Sequence, residues 1–97
     1  MALLTILYPA AHPFDVDYYL TRHMPLVKRL FSPFGLRSLT SIRPSVPSIY
    51  QLVAQLQFDR MEQLLAARAN CSAEAQADIP NFTSASPVTL IGEEISH

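Results

Sequence analysis

The sequence predicts a single α+β domain over residues 1–97, with elements in the order β-α-β-β-α-β and a four-stranded antiparallel sheet. Three observations carry this reading. Strand-like alternation runs from Ile49 to Phe58. Helical spacing of apolar residues occupies Val16–Phe31 and Met61–Ala69, and each of these stretches lies between two strand-like ones. At 97 residues the chain has room for one core and not for two.

The first strand is read over Ala2–Tyr8. Leu3, Thr5 and Leu7 point one way and Leu4, Ile6 and Tyr8 the other, so both faces are largely apolar and both ask for cover. A loop with two prolines leads to Asp15, an N-cap, and Asp17 suits the positive end of a helix. The helix that starts there carries Val16, Tyr19, Leu20, His23, Val27, Leu30 and Phe31 on its apolar stripe. Pro25 lies inside it and removes a backbone donor, so a kink after His23 is expected. Ser32-Pro33-Phe34-Gly35 closes the helix.

Leu36–Arg43 reads as the second strand, and the turn through Pro44 and Pro47 joins it to the third as a hairpin. On the third strand Tyr50, Leu52, Ala54, Leu56 and Phe58 share one face; Ile49, Gln51, Val53, Gln55 and Gln57 share the other. Asp59 followed by Glu62 has capping-box spacing for a second helix, whose stripe is read as Met61, Leu64, Leu65 and Ala69. Asn70-Cys71-Ser72 is expected to interrupt that helix, and Asp78-Ile79-Pro80-Asn81 to end a short helical piece over Ala73–Ala77. Pro87–Ile95 supplies the last strand.

Composition narrows the function. A formal charge of −1 and the lack of any Lys/Arg run give no field for a polyanion, so nucleic acid is not an expected partner. Nothing approaches the ~18 apolar residues of a membrane span, and Leu3–Leu7 is too short for a secretory leader, so the reading is a cytoplasmic protein without a membrane partner. One cysteine, Cys71, excludes an intrachain disulfide. With Gly35 and Gly92 as the only glycines there is no Gly-rich phosphate loop, and no cofactor is expected. His12, Asp15 and Asp17 form no compact metal motif, and no metal site is assigned.

Two helices cover one face of such a sheet, and the second face then needs a partner, which a second copy of the chain supplies as a homodimer. Gln51, Gln55 and Gln57 would also suit a solvated face. His23 is the first candidate for chemistry, because it sits on the apolar stripe between Tyr19 and Val27 and titrates near neutral pH. The competing reading is a structural histidine bonded to backbone freed by Pro25. Tyr19 and Tyr50 are candidate substrate-binding residues, and a His–Tyr pocket between helix and sheet, pairing His23 with Tyr50, is the expected site. Cys71 is read as a small buried hydrophobe.

Several segments together resemble the EthD family of small dimeric α+β barrel proteins. They are Leu7-Tyr8-Pro9, Asp17-Tyr18-Tyr19 with His23-Met24-Pro25-Leu26-Val27, and Asp78-Ile79-Pro80-Asn81-Phe82-Thr83. The Tyr-x-x-x-His-x-Pro pattern at Tyr19, His23 and Pro25 is the most specific of them. The resemblance spans the whole chain and implies a ferredoxin-like subunit, a sheet-to-sheet dimer, and a cavity between sheet and helices. It also implies an oxidoreductase-like label, and similar barrels include cofactor-independent monooxygenases, isomerases and cyclases that use His and Tyr. Two functions stay open at this point. One is a cofactor-independent enzyme, oxidoreductase-like or an isomerase or lyase, acting on a hydrophobic oxygenated or aromatic compound through His23. The other is a small-molecule-binding or accessory protein for an oxygenase system.

Overall fold

The computed structural model describes residues 1–97. Strands β1 (Ala2–Pro9), β2 (Leu36–Ile42), β3 (Tyr50–Phe58) and β4 (Val88–Glu93) form one sheet in the order β2-β3-β1-β4, with every neighbouring pair antiparallel. This is the ferredoxin-like arrangement that the element order predicts, and the sheet is open rather than closed on itself.

The period of two decides which residues meet the helices. Ala2, Leu4 and Tyr8 of β1 and Leu52, Ala54, Leu56 and Phe58 of β3 are buried on the helix side. Ala2, Leu4, Leu56 and Phe58 pack with Val27, Phe31, Leu64, Ala67 and Cys71 from the helices, and Tyr8 and Leu52 pack with Tyr19 and Phe82. Leu3, Thr5 and Leu7 face the other way, in register with Gln57, Gln55 and Val53 of β3 and with Gly92, Leu90 and Val88 of β4. No helix lies on that side, and the subunit is a slab only 19 Å thick, the depth of one sheet and one helix layer.

The first helical stretch departs from a simple kink. It runs as α1 (Val16–Tyr18), a π-helical turn (Tyr19–His23) and α2 (Met24–Phe31). Asp15 caps it as expected, its carboxylate accepting from the Tyr18 N–H. The Met24 N–H reaches back five residues to the Tyr19 carbonyl, so the wider turn absorbs the donor missing at Pro25, which then sits in the first turn of α2 where no donor is needed. The extra residue turns Leu20 out of the stripe, where it is 55% exposed, and keeps Tyr19 and His23 inward.

The second helical stretch is one helix, α3 (Met61–Asp78), with no break at Asn70-Cys71-Ser72. Tertiary contacts override weak propensity here. Cys71 is buried and its thiol donates to the Leu30 carbonyl, while the Asn70 amide bonds back to Ala66. The buried stripe is Leu64, Ala67 and Cys71, with Met61 packed against the same core; Met61 and Leu64 are as expected, whereas Leu65 and Ala69 are exposed. The cap also shifts by one residue. Gln63 Oε1 accepts from the Arg60 N–H, and Asp59 pairs instead with Arg37 at 2.9 Å.

Gly35 ends the α2 region at φ +95, and a Cβ there would stand 2.6 Å from the Gln63 amide nitrogen. Moving that amide breaks its hydrogen bond to Arg60. Gly35→Ala is therefore expected to cost about 1–2 kcal/mol or more in left-handed strain and lost capping, read as a lower midpoint in chemical denaturation.

Candidate active site

Two stretches far apart in sequence make the site. Thr83 forms a bridge with Phe14, the Asp15 N–H donates to the Phe82 carbonyl at 2.7 Å, and Thr83 Oγ1 donates to the Pro13 carbonyl. These bonds dock residues 78–83 against the start of the first helical stretch. The 3₁₀ turn Ile79–Asn81, imposed by Pro80, aims Asp78 back at His23.

His23 is buried, with 3% of its surface exposed, and its Nδ1 lies 2.9 Å from Asp78 Oδ2. The other carboxylate oxygen accepts from the Tyr18 hydroxyl at 2.7 Å and from the Asn81 amide at 2.9 Å. Asn81 donates to the Tyr18 oxygen as well. The imidazole is sandwiched by aromatic rings, stacking on Tyr19 with centroids 5.8 Å apart and tilting against Phe82 at 4.6 Å. His23 is thus bonded to a carboxylate, and not to backbone released by Pro25.

Burial pushes the His23 pKa below its ordinary value, against the opposing pull of Asp78. For Asp78, burial acts upward, but hydrogen bonds from His23, Asn81 and Tyr18 together with the histidine charge hold the carboxyl below its usual range. At neutral pH the pair is therefore a carboxylate and a neutral imidazole whose Nδ1–H donates to it. Every fully buried side-chain polar atom has a partner, and Nδ1 is the ring nitrogen with one, so Nε2 keeps some open surface. His23 also lines a cavity.

Both depressed pKa values act on stability in one direction. The unfolded chain takes up protons first, so the stability from His23 is full above about pH 6.5 and is lost as pH falls toward its lower folded value. Asp78 adds a further loss below the carboxylate range. Thermal melts at pH 7 and 5 are expected to give a lower Tm at pH 5, with a smaller gap in His23→Gln.

The cavity is about 50 Å³ and lies between α2, α3 and the β1–β4 half of the sheet, with Leu4, Ile6, Tyr8, Val27 and Phe31 as its apolar wall. It leads into an open groove of about 440 Å³ under residues 83–87, and Gln76, Ile79, Pro87 and Thr89 border both. The inner space admits a few atoms only, and the groove beside it is larger.

The structure does not bring Tyr50 to His23. Tyr50 pairs with Pro9 at the far end of β1 and lines a separate shallow groove with Arg43, Pro44 and Val46. Tyr19 touches the His23 ring, but its hydroxyl bonds Ser41 at 2.8 Å and it does not line the cavity. The tyrosine that shares the cavity with His23 is Tyr8, fully buried, with its phenol pKa pushed up by burial and by Tyr19. Sequence reasoning missed Tyr8 and Asp78 as site residues. Both lie in segments that carry the EthD resemblance, and that was the available signal.

No family model matches the chain, and no curated protein matches it. Solved structures do. An EthD-like protein from Ralstonia eutropha JMP134 is 28% identical, with a TM-score of 0.83 over 95% of this chain and 89% of that one. An ethyl tert-butyl ether d (EthD) family protein from Bacillus halodurans C-125 is 26% identical, with a TM-score of 0.79 over 98% of this chain and 99% of that one. A dimeric ferredoxin-like protein of unknown function from Bacteroides fragilis shares the fold at 12% identity, with a TM-score of 0.58 over 96% and 95% of the two chains. No helix is long and apolar enough to cross a membrane.

Proposed function

The chain is EthD-like in sequence and fold, and from that premise we propose that it acts on a hydrophobic oxygenated small molecule, with His23 as the proton-transfer group. The observation that carries this is the 2.9 Å bond from His23 Nδ1 to Asp78 beside a cavity with Leu4, Ile6, Val27 and Phe31 on its wall. A neutral imidazole fixed through Nδ1 presents the Nε2 lone pair, the form a general base requires. As Nε2 takes a proton, the imidazolium that forms is stabilised by the adjacent carboxylate, itself held in place by Tyr18 and Asn81. Tyr8 lies on the same cavity, where a phenol O–H orients a substrate oxygen.

Proton removal from a carbon beside a carbonyl, or from a phenol, leaves an enolate or phenolate. Return of the proton to another atom makes the protein an isomerase, expulsion of a β-substituent with its electron pair makes it a lyase, and oxidation of the anion by dioxygen makes it oxidoreductase-like. Neither route calls on a bound cofactor. A panel of apolar ketones, lactones and phenols, followed for turnover with the native protein and with His23→Gln, tests the reading. Turnover that survives in His23→Gln removes His23 from the mechanism.

One observation favours a second reading, a small-molecule-binding or accessory protein. The inner cavity, at about 50 Å³, is well under the ~300 Å³ of an ordinary ligand pocket. Tight binding across the panel without turnover of any member supports that reading.

A further inference from the structure

The rim of the cavity carries a charge that the proton-transfer reading does not use. Arg68, Ser72 and Gln76 occur at steps of four on α3 and so share one helix face, and all three border the cavity. Across from them stand Pro87 and Thr89, because α3 packs over β1 and β3 and leaves β4 exposed along its length. Arg68 is half-buried, and it takes part in none of the chain's four ion pairs and in no side-chain hydrogen bond. The arginines at 29, 37 and 60 each have a carboxylate within 4 Å. An arginine that lines a cavity beside apolar residues, with its fork of donors unused, is suited to a planar anion.

We propose that Arg68 binds the carboxylate of the ligand, with Ser72 and Gln76 available as further hydrogen-bond donors. The ligand class is then an organic monoacid whose short apolar portion enters toward His23 while its carboxylate stays at the rim. A phosphate ester fits less well. A dianion calls for more positive charge than one arginine supplies, and neither a second cation nor a helix N-terminus borders the cavity. This assignment deepens the reading of the same site and rests on it for the inner end of the ligand.

The test uses the native chain and a matched pair of probes, hexanoate and hexanamide, equal in shape and different in charge. Calorimetry measures affinity, and the ¹⁵N resonances of the His23 ring report occupancy of the inner cavity. Hexanoate is expected to bind about tenfold or more tighter than hexanamide, with the preference lost in Arg68→Met and partly restored in Arg68→Lys. Phenyl phosphate is expected to bind more weakly than hexanoate. Equal affinity for the two hexyl probes, an unchanged preference in Arg68→Met, binding of neither at millimolar concentration, or tighter binding of phenyl phosphate overturns the assignment. Failure of the underlying reading has a different signature. An Arg68-dependent preference for hexanoate that leaves the His23 resonances unmoved keeps Arg68 as the anion site and removes His23 from it. Equal affinity for the two hexyl probes, with the His23 resonances shifted by both, does the reverse.

Discussion

Gln in place of His23 is expected to lower kcat/KM by about 10²–10⁴-fold, the range for loss of one positioned proton-transfer group. Asn in place of Asp78 is expected to cost about ten- to a hundredfold, because it removes a hydrogen bond to an ionising partner and not the base itself. The pH profile separates a catalytic pair from a structural one. Burial sets the His23 pKa below 6.5 and Asp78 pulls it back up, so the acid limb of kcat/KM in the native protein lies below 6.5. Removing the carboxylate removes the upward pull, and the limb in Asp78→Asn is expected to move lower still. An acid limb that stays fixed in Asp78→Asn means the titrating group is not His23. A loss of rate with no change in profile, matched by a loss of folded protein in the melt, assigns the pair to stability.

The strands and their faces were legible because alternation with period two is local, and burial then selects the side. The β3 residues Leu52, Ala54, Leu56 and Phe58 are on the helix face as the pattern requires. Legibility failed where long-range packing competes with local preference. Cys71 sits in a stretch that reads as a breaker, yet burial against Leu30 holds α3 straight through it. Asp59 has the better capping chemistry, but its pairing with Arg37 leaves the N-cap position to Arg60. Pro25 signalled an irregularity, and the spacing alone could not distinguish a kink from a π-helical turn that adds a residue and expels Leu20.

The site divides in the same way. His23 was readable from its place on an apolar stripe. Its carboxylate partner lies 55 residues away, brought near by the docking of residues 78–83, and no periodicity encodes that distance. Tyr50 lies past a register shift in the β1–β3 pair, and distance along the strand separates it from His23. Tyr50 stands opposite Pro9, beyond the aromatic cluster of Tyr8, Phe14, Tyr19 and Phe82. Face is fixed by parity in a sheet, whereas depth along a strand depends on where the helix crosses it. That is why the face of Leu52–Phe58 held and the Tyr50 pairing did not.

The open side of the sheet carries the second large prediction. Leu3 and Leu7 of β1, Val53 of β3, Ile42 of β2 and Val88 and Leu90 of β4 all face away from the helices, with Ile42 at 56% and Leu90 at 57% exposure. Thr5, Thr40, Gln55 and Gln57 lie among them, so the surface is apolar with a polar band that needs hydrogen-bonding partners. A second copy, sheet against sheet, supplies both. The native chain is therefore expected to be a homodimer at micromolar concentration by light scattering. Leu7→Lys places an unpaired ammonium on that face at a desolvation cost of several kcal/mol. It is expected to weaken the dimer by at least about a hundredfold, giving a monomer whose circular dichroism is unchanged because Leu7 points away from the helix-side core. A native chain that stays monomeric near 100 µM, or a Leu7→Lys variant that remains dimeric, shows that water and not a second sheet covers this face.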